Sequence, residues 1–361
     1  MIYDINGNQI ETGGSVSSAD IKTALVGAVA DGTVSLGESV GATLAYTSPG
    51  TSWETNANTA YQNLLTAYKA VPQSGIPFFI STDSHGRGVE AHRWMNNADV
   101  DGMSVLNINL GDTVGDKFGT AALDNILART KQVKDYISAV GNHDKSTGTE
   151  VASHYYLNKT FITTMGRVVN VGPMNCYSIV DGEHNVKIMV VDTNTLDENG
   201  ALGQGFPTTV ASWIIQELSD TKNMDILWIN HWPLWDSCRQ REDAEETSDA
   251  MNTITGGTSV QFAMWQVLID RKNKASGTYT DTDGVAHSYD FTDCKSDFLC
   301  CLHGHIHAEW LTTEKGLTAY AADWYGNNKS CTFGLIDRLN SKVTFWVFDS
   351  TGCLEPLELP I

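Results

Sequence analysis

The stretch that decides the fold class is Ile137-Ser138-Ala139-Val140-Gly141-Asn142-His143-Asp144, where a short apolar run leads directly into an amide, an imidazole and a carboxylate. Val105–Leu110 leads in the same way into Gly111-Asp112. Short apolar runs bounded by turn residues are typical of buried strands, and ligands of open α/β sheets bind beyond the carboxyl ends of the strands. The pattern therefore predicts an α/β protein with its functional site at one end of the strands.

Three further segments place metal-ligand residue types directly after a predicted strand. They are Asp83-Ser84-His85 after Ile76–Ser81, His231 after Ile226–Ile229, and Gly304-His305-Ile306-His307 after Phe298–Leu302. Helical patterns lie between these strands, at Ala121–Tyr136 and around Val210–Leu218. Alternating strands and helices are typical of an α/β core, so all five segments are expected to meet at one site.

Residues 1–50 differ from the rest of the chain, since they are rich in Gly, Ser, Thr and Ala and contain none of the candidate ligands. We predict a small N-terminal module or arm of unknown role there. An amphipathic helix from Ser52 to about Ala70 predicts a linking segment at 51–72, followed by a main domain at 73–361. The longest interval between ligand segments predicts a cap-like insertion near 236–295, with a helix at about 258–271 and a hairpin around Asp281–Gly284.

Composition excludes some partners and locations. The 361 residues include 43 Asp and Glu against 23 Lys and Arg, a net charge of −20, which disfavours long nucleic acid because phosphate binding needs many basic side chains. The 7 cysteines lack CxxC spacing and are interpreted as buried reduced thiols. We recognise no signal peptide and no membrane-spanning run, which predicts a cytoplasmic or virion-associated protein without a membrane partner.

The five segments supply the ligand types that a pair of divalent ions needs. Asp83 and His85 are close enough in sequence to reach one ion, and Asp112 offers two carboxylate oxygens that can bridge two ions. Asn142 offers an amide oxygen, and three further histidines offer nitrogens: His231, His305 and His307. Such a pair brings the pKa of a bound water from 15.7 down to about 7, which makes hydroxide available as a nucleophile at neutral pH.

Other residues near these segments suggest further roles. His143, beside Asn142, is predicted to act as a general acid or to stabilise charge on the transferring group, and Asp144 is predicted to orient it or to cap the following helix. Arg87 is a candidate phosphate contact. Trp232, next to His231, is a candidate wall of the substrate cleft.

These motifs together resemble the calcineurin-like metallophosphoesterase family, over residues 75–350. The resemblance implies a four-layer αββα sandwich with a binuclear metal centre at the strand ends, and His143 in the catalytic-histidine position. It implies that one ion is held by Asp83, His85, Asp112 and His307, and the other by Asp112, Asn142, His231 and His305. The ions expected are Mn, Fe, Zn or Ni, because mixed nitrogen and oxygen ligands do not select among them.

Two departures narrow the choice within that family. Protein phosphatases of this type carry arginines in GDxVDRG and RGNHE, whereas Gly115, Asp116 and Lys117 follow Val114 here and Val140 precedes Gly141. Purple acid phosphatases have a tyrosine at the position of Gly115. A protein phosphatase and an iron–tyrosinate site are therefore both disfavoured.

The sequence thus predicts a metal-dependent phosphoesterase, either a phosphodiesterase or a phosphatase with the phosphodiesterase slightly favoured, in which metal-bridging hydroxide attacks and His143 assists the leaving group. The alternative is a phage or prophage tail-associated protein that binds or cleaves a cell-envelope phosphodiester such as teichoic acid, with partly structural metals. The opening Ile2–Asn8 motivates this alternative, which implies assembly through residues 1–50.

Overall fold

The computed structural model describes residues 2–3, 9–10, 52–72, 74–85, 103, 105–113, 136–144, 168–193, 195–196, 202–203, 206–234, 239–240, 260–325 and 329–361. The chain divides into two compact units, Met1–Gly50 and Thr51–Ile361. In the first unit, the structure describes an antiparallel pair of short strands, β1 (Ile2–Tyr3) and β2 (Gln9–Ile10). The predicted arm or module otherwise lies outside the described residues. So does the predicted helix at Ala121–Tyr136, except for Tyr136, which begins a strand.

The strands of the second unit follow in chain order. They are β3 (Gly75–Ser81), β4 (Leu106–Asn109), β5 (Tyr136–Ser138), β6 (Val168–Val171), β7 (Tyr177–Asp181), β8 (Val186–Val191), β9 (Thr195–Leu196), β10 (Leu202–Gly203), β11 (Asp225–Asn230), β12 (Arg239–Gln240), β13 (Ser276–Thr280), β14 (Ala286–Asp290), β15 (Phe298–His303), β16 (Trp310–Glu314), β17 (Leu317–Ala321), β18 (Cys331–Asp337), β19 (Lys342–Phe348) and β20 (Leu357–Pro360). The described α-helices are α1 (Ser52–Ala70), α2 (Thr208–Asp220) and α3 (Val260–Lys272).

Two large mixed sheets organise this unit. The first has six strands in the order β20-β19-β18-β3-β4-β5, with β3, β4 and β5 parallel. The second has eight strands in the order β12-β16-β17-β15-β11-β8-β7-β6, with β8, β11, β15 and β17 parallel. The described fold is therefore mixed α/β, as the alternating pattern predicted.

The two sheets share a hydrophobic cluster, and period-two alternation explains how. In β11, Leu227 and Ile229 pack into the cluster that also contains Phe78 and Ile108 of the six-stranded sheet. Their neighbours Ile226 and Trp228 pack into a second cluster with helices α2 and α3. Successive side chains of a strand point to opposite faces, so a continuous apolar run such as β11 supplies two cores at once.

Helix α1 packs against β18 and β19 through its buried stripe. Trp53 contacts Phe348 at a centroid distance of 5.4 Å, and Tyr61 contacts Phe333 at 5.6 Å. The Trp53 indole N–H also donates a hydrogen bond of 2.6 Å to the backbone oxygen of Lys329. The amphipathic pattern predicted these bounds, and the structure places the helix within the same compact unit as the sheets.

Helix α3 and the β13–β14 hairpin occupy most of the described part of the predicted insertion. Met264 and Leu268 of α3 and Tyr279 of β13 pack into the cluster with α2. The helix and hairpin are present where the sequence predicted them, and their role as a cap stays a prediction. Within the described residues, no helix combines the length and apolar character needed to cross a membrane.

The interpretation as buried reduced thiols is confirmed for Cys294, Cys300 and Cys301, which are free and buried. Cys176 and Cys331 are also buried, whereas Cys353 is partly exposed. Burial raises the pKa of the Cys300 thiol to about 12, so this group stays protonated and unreactive at neutral pH. Cys238 lies outside the described residues.

Candidate metal centre

The predicted ligands follow strands of both sheets. Asp83 lies two residues beyond β3, and Asp112 lies three residues beyond β4 in the same sheet. His231 follows β11 directly, and the Gly304–His307 turn follows β15 in the other sheet. Because β3 and β4 are parallel, as are β11 and β15, each sheet presents its ligands at the carboxyl ends of neighbouring strands.

Tight backbone turns hold these side chains. The φ angle is positive at Asp83 (50°), His85 (44°), Asp112 (51°), His305 (74°) and His307 (53°). Left-handed backbone costs a non-glycine residue roughly 1–2 kcal/mol, and such strain clusters at functional sites. Five predicted ligands therefore occupy a backbone conformation that only the surrounding structure makes favourable.

Gly111 and Gly304 allow the loops to approach one another closely. Gly111 has a φ of 106°, and a Cβ atom there would meet Nδ1 of His231 at 2.6 Å. A Cβ atom on Gly304 would collide with Oγ1 of Thr82 and lie 2.9 Å from Oδ2 of Asp83. Side chains at either position would push the ligand loops of the two sheets apart.

The two oxygens of Asp83 have different surroundings. Oδ2 accepts hydrogen bonds from the hydroxyl of Thr82 at 2.5 Å and from the backbone N–H of His305 at 3.0 Å. Among the described residues Oδ1 is buried without a well-aligned hydrogen bond, and it lies 3.3 Å from Nε2 of His307 and 4.0 Å from Nε2 of His231. Oδ1 is therefore the atom that remains for a cation.

Asp112 shows the same division. Its Oδ1 accepts the backbone N–H of His143 at 2.7 Å. Among the described residues its Oδ2 is buried without a well-aligned hydrogen bond, and it lies 3.2 Å from Nε2 of His231 and 3.9 Å from Nε2 of His143. One oxygen of Asp112 thus already accepts a backbone hydrogen bond, and the role predicted for Asp112 as the ligand shared by two ions stays a prediction.

Two histidines offer buried nitrogens to the same region. Nδ1 of His231 lies 2.7 Å from the backbone oxygen of Leu110; a carbonyl can only accept, so Nδ1 donates and Nε2 is the nitrogen that faces the carboxylates. Nε2 of His85 is buried and has no hydrogen-bond partner in the described ranges of the chain. Metal-binding histidines commonly donate their second nitrogen to a carbonyl in this way.

The carboxylates and imidazoles shift one another's pKa in the chain without ions. Burial opposes charge on His231, yet Asp112 and Asp83 raise its pKa to about 9. Burial also opposes charge on Asp83, but His231 and His307 hold its pKa below the usual range. Burial and the nearby His231 lower the pKa of His305 to about 3. The carboxylates thus stabilise positive charge in their midst.

Three overlapping groups of side chains bring their ligand atoms within 4.8 Å of one another. They are Asp83, His85 and His307; His85, Asp112 and His143; and Asp112, His231 and His305. Six of the seven predicted ligands are therefore brought together, and Asp112 belongs to two groups. Asn142 begins a short 3-10 helix, Asn142–Asp144, and its side chain lies outside the described residues. The individual ligand roles stay predictions.

His143 belongs to the group with His85 and Asp112, and Asp144 is its neighbour in sequence. The His143 ring packs edge-on against His85 with centroids 4.7 Å apart, and its side chain is 29% exposed. Oδ2 of Asp144 accepts the backbone N–H of Gly141 at 2.8 Å. This bond resembles one half of a capping box, because the side chain of Asp144 binds the backbone N–H just before its own short helix. The structural alternative for Asp144 was a cap on the following helix, and residues 145–167 lie outside the described residues. Their catalytic roles stay predictions.

Two tryptophans stack on the histidines of the Gly304–His307 turn. Trp232 stacks on His305 with centroids 3.8 Å apart and planes inclined by 17°, and Trp324 stacks on His307 at 4.4 Å and 22°. One face of the Trp232 ring is thus covered by His305, and its predicted contact with substrate stays a prediction. Arg87 lies outside the described residues.

Sequence reasoning missed Trp324 and Thr82. Trp324 follows β17, which is parallel to β15, so the rule that site residues follow parallel strands applied to it as well. Thr82 stands between β3 and Asp83, where a buried hydroxyl beside a carboxylate signals a hydrogen bond. The pattern of ligand types alone drew attention to neither.

Comparisons with known proteins give similarities of low identity. No protein-family model and no curated protein matches the sequence. A solved structure from Streptococcus pneumoniae, described as a predicted phosphoesterase, is 11% identical, with 80% of this chain and 98% of that chain covered and a TM-score of 0.35. GAP50 of Plasmodium, described as the anchor in the inner membrane complex, is 10% identical, with 80% and 89% covered and a TM-score of 0.49.

A 5′-nucleotidase from Candida albicans is 14% identical and has a TM-score of 0.43; 76% of this chain and 51% of that chain are covered. The present chain therefore spans about half the length of that enzyme. At these identities and TM-scores the similarities do not decide the function.

Proposed function

We propose that this protein is a phosphoesterase that depends on two divalent metal ions. The observation that carries the proposal is that Oδ1 of Asp83, Nε2 of His85 and Oδ2 of Asp112 are all buried and form no well-aligned hydrogen bond within the part of the chain that the structure describes. A buried polar atom without a partner costs about 1–3 kcal/mol. Three such atoms, within groups of ligand type, are explained if they bind cations.

The proposed ligands are those of the sequence prediction. One ion takes Asp83, His85, Asp112 and His307, and the other takes Asp112, Asn142, His231 and His305. Two bound divalent ions would supply a water activated at neutral pH and positive charge beside the phosphoryl oxygens. With the two carboxylates, the formal charge of the centre would be about +2, which attracts a phosphate ester to an otherwise acidic protein.

His143 is proposed to donate a proton to the leaving-group oxygen. Its backbone N–H is held by Oδ1 of Asp112, which fixes the residue beside the centre, and its partly exposed ring is accessible to a substrate. The capping bond of Asp144 to Gly141 stabilises the short helix that carries His143. A proton donor at this point contributes roughly 10²–10⁴-fold to the rate.

The proposal extends to a phosphodiester substrate and to a four-layer αββα arrangement. Support for the layering comes from the two hydrophobic clusters, one between the sheets and one between the eight-stranded sheet and helices α2 and α3, together with α1 on β18 and β19. The preference for a diester over a monoester comes from the sequence argument alone.

The test is hydrolysis of bis-p-nitrophenyl phosphate and p-nitrophenyl phosphate by the full chain with added Mn²⁺, Ni²⁺, Zn²⁺ or Fe²⁺. Asp112→Asn is the control that should be inactive. His287→Asn is the control for a polar substitution outside the ligand groups, on the β13–β14 hairpin. We expect turnover with at least one ion, lost in Asp112→Asn and retained in His287→Asn. Absence of both turnover and metal binding in the wild type would refute the proposal.

The envelope-phosphodiester hypothesis stays a separate proposal about the natural substrate and partner. It depends on residues 1–50, of which the structure describes β1 and β2. Pull-down of isolated teichoic acid by the full chain, compared with a variant whose residues 1–50 are replaced by a Gly-Ser linker of equal length, tests it. Equal binding by both would remove the role of this segment.

A further inference from the structure

Each histidine of the Gly304–His307 turn has an indole stacked on one face. Trp232 covers His305 and Trp324 covers His307, at interplanar angles of 17° and 22°. His305 belongs to the ligand group of Asp112, whereas His307 belongs to the group of Asp83. Each indole is therefore associated with a different proposed ion.

The turn that carries these histidines needs support. His305 and His307 both have left-handed backbone, and the side chain of His307 is 30% exposed. An imidazole ring rotates about its side-chain torsions unless neighbouring groups fix its plane. A stacked indole fixes that plane while leaving the ring edge, which carries the nitrogens, free to face the carboxylates.

The indoles themselves are anchored through the backbone rather than through their N–H groups. The backbone N–H of Trp232 donates to Oγ1 of Thr193 at 3.1 Å, and that of Trp324 donates to Oδ1 of Asp323 at 2.6 Å. Both indole Nε1 atoms are buried without a hydrogen-bond partner among the described residues. The directional contacts of the indoles are therefore with rings: Trp232 stacks on His305, and Trp324 stacks on His307 and also meets the ring of His85 edge-on at 5.7 Å.

Stacking also favours the metal-bound state. An imidazole that binds a divalent cation is depleted of electrons, and the face of an indole is the most electron-rich aromatic surface in proteins. The contact therefore gains strength when the ion binds. Removal of the indole should weaken metal binding more than it weakens folding.

We propose that the two tryptophans are positioning residues and that each serves one ion. Trp324 orients His307 toward the ion position beside Asp83, and Trp232 orients His305 toward the ion position beside Asp112. The inference rests on the proposed binuclear centre, and adds to it that each ion depends on a different tryptophan.

The test is calorimetric titration of the metal-stripped full chain with Mn²⁺, which needs no substrate. We expect two binding events in the wild type. Trp324→Leu should weaken one of them by about tenfold and Trp232→Leu the other, as for partners that orient a metal ligand, and the Trp→Phe variants should restore most of the loss. Trp213→Leu, which replaces a partly buried indole on α2, is the matched control and should leave both events unchanged.

Double-variant cycles identify the partners. Trp324→Leu should cause no further loss of metal affinity in a His307→Ala background, but should still lower the affinity in a His305→Ala background. Trp232→Leu should cause no further loss in a His305→Ala background, but should still lower the affinity in a His307→Ala background. The proposal would be overturned if each tryptophan variant lowered the affinity for both ions equally, or if the Phe variants bound metal as weakly as the Leu variants.

The outcomes also separate this inference from the proposed function. A wild type that binds no metal would refute the proposed function itself. Unchanged affinity for both ions in both Leu variants would refute this inference alone.

A second measurement avoids unstable variants. In protein labelled with 5-fluorotryptophan and titrated with Zn²⁺, the ¹⁹F resonances of Trp324 and Trp232, assigned through the Phe variants, should respond to different equivalents of metal. Resonances that move together with the same equivalent would contradict the division.

Discussion

Oδ2 of Asp83 accepts a hydrogen bond of 3.0 Å from the backbone N–H of His305, although the two residues are 222 positions apart in sequence. Asp83 follows a strand of the six-stranded sheet, and His305 follows a strand of the eight-stranded sheet. The bond therefore joins the ligand loops of the two sheets and leaves Oδ1 of Asp83 for a cation.

Thr82→Val should weaken metal binding without unfolding the protein. The substitution keeps the shape of the side chain but removes the hydroxyl that donates to Oδ2 of Asp83. Loss of a partner that orients a metal ligand typically costs 10–100-fold in affinity, and we expect that range in a Mn²⁺ titration. Thr66→Val, which removes an exposed hydroxyl on α1, is the matched control. Equal affinities for the two variants would show that the Thr82 hydroxyl does not orient Asp83.

His143→Ala should lower kcat by roughly 10²–10⁴-fold while the protein still binds two ions. The expectation follows from its proposed role as proton donor rather than ligand. Because His143 also belongs to one of the ligand groups, the metal stoichiometry is the deciding measurement. Loss of one equivalent of Mn²⁺ would make His143 a ligand and contradict the proposed role.

The metal-free protein should lose stability as the pH rises from about 6.5 to about 9. In the folded chain Asp112 and Asp83, acting against burial, raise the pKa of His231 from 6.5 to about 9. The folded state therefore holds this proton more tightly than the unfolded state, and the stabilisation is full below pH 6.5 and lost as the pH passes 9. Thermal melts of the EDTA-treated protein should show the decline.

His231→Gln is the control for this pH effect, since it removes the titrating group and should flatten the decline. Mn²⁺ competes with the same proton, so its apparent affinity should rise with pH over the same interval. An affinity that is independent of pH between 6.5 and 9 would place the linked proton elsewhere.

Trp53→Ala should destabilise the protein by roughly 3–5 kcal/mol, the usual cost of truncating a buried large aromatic side chain. Trp53 is 2% exposed, packs against Phe348 and donates a hydrogen bond to the backbone of Lys329. Urea unfolding measures the change. Thr59→Ala, on the exposed face of the same helix, should stay within about 0.5 kcal/mol of the wild type. Similar values for both would mean that α1 contributes little to folding.

Much of the fold was predictable because its elements are encoded locally. The strand predicted at Ile76–Ser81 is Gly75–Ser81 in the structure, and the strand predicted at Phe298–Leu302 is Phe298–His303. The β16–β17 hairpin was not predicted, although its two strands are adjacent in sequence, because Trp310–Glu314 shows no clear alternation of buried and exposed positions. The order of distant strands across a sheet leaves little trace in a single sequence.

The sequence by itself determined which residue types follow the strands, because an apolar run and the polar turn after it are local properties of the chain. It therefore identified Asp83, Asp112 and His231 as members of one candidate site. Only the tertiary structure decided which atoms of these residues already form hydrogen bonds. Thr82 and His305 donate to one oxygen of Asp83, and the backbone N–H of His143 donates to one oxygen of Asp112. The backbone oxygen of Leu110 accepts from one nitrogen of His231, so that the other nitrogen faces the carboxylates. Most of these bonds join residues distant in sequence, so their geometry exists only once the two sheets have packed together.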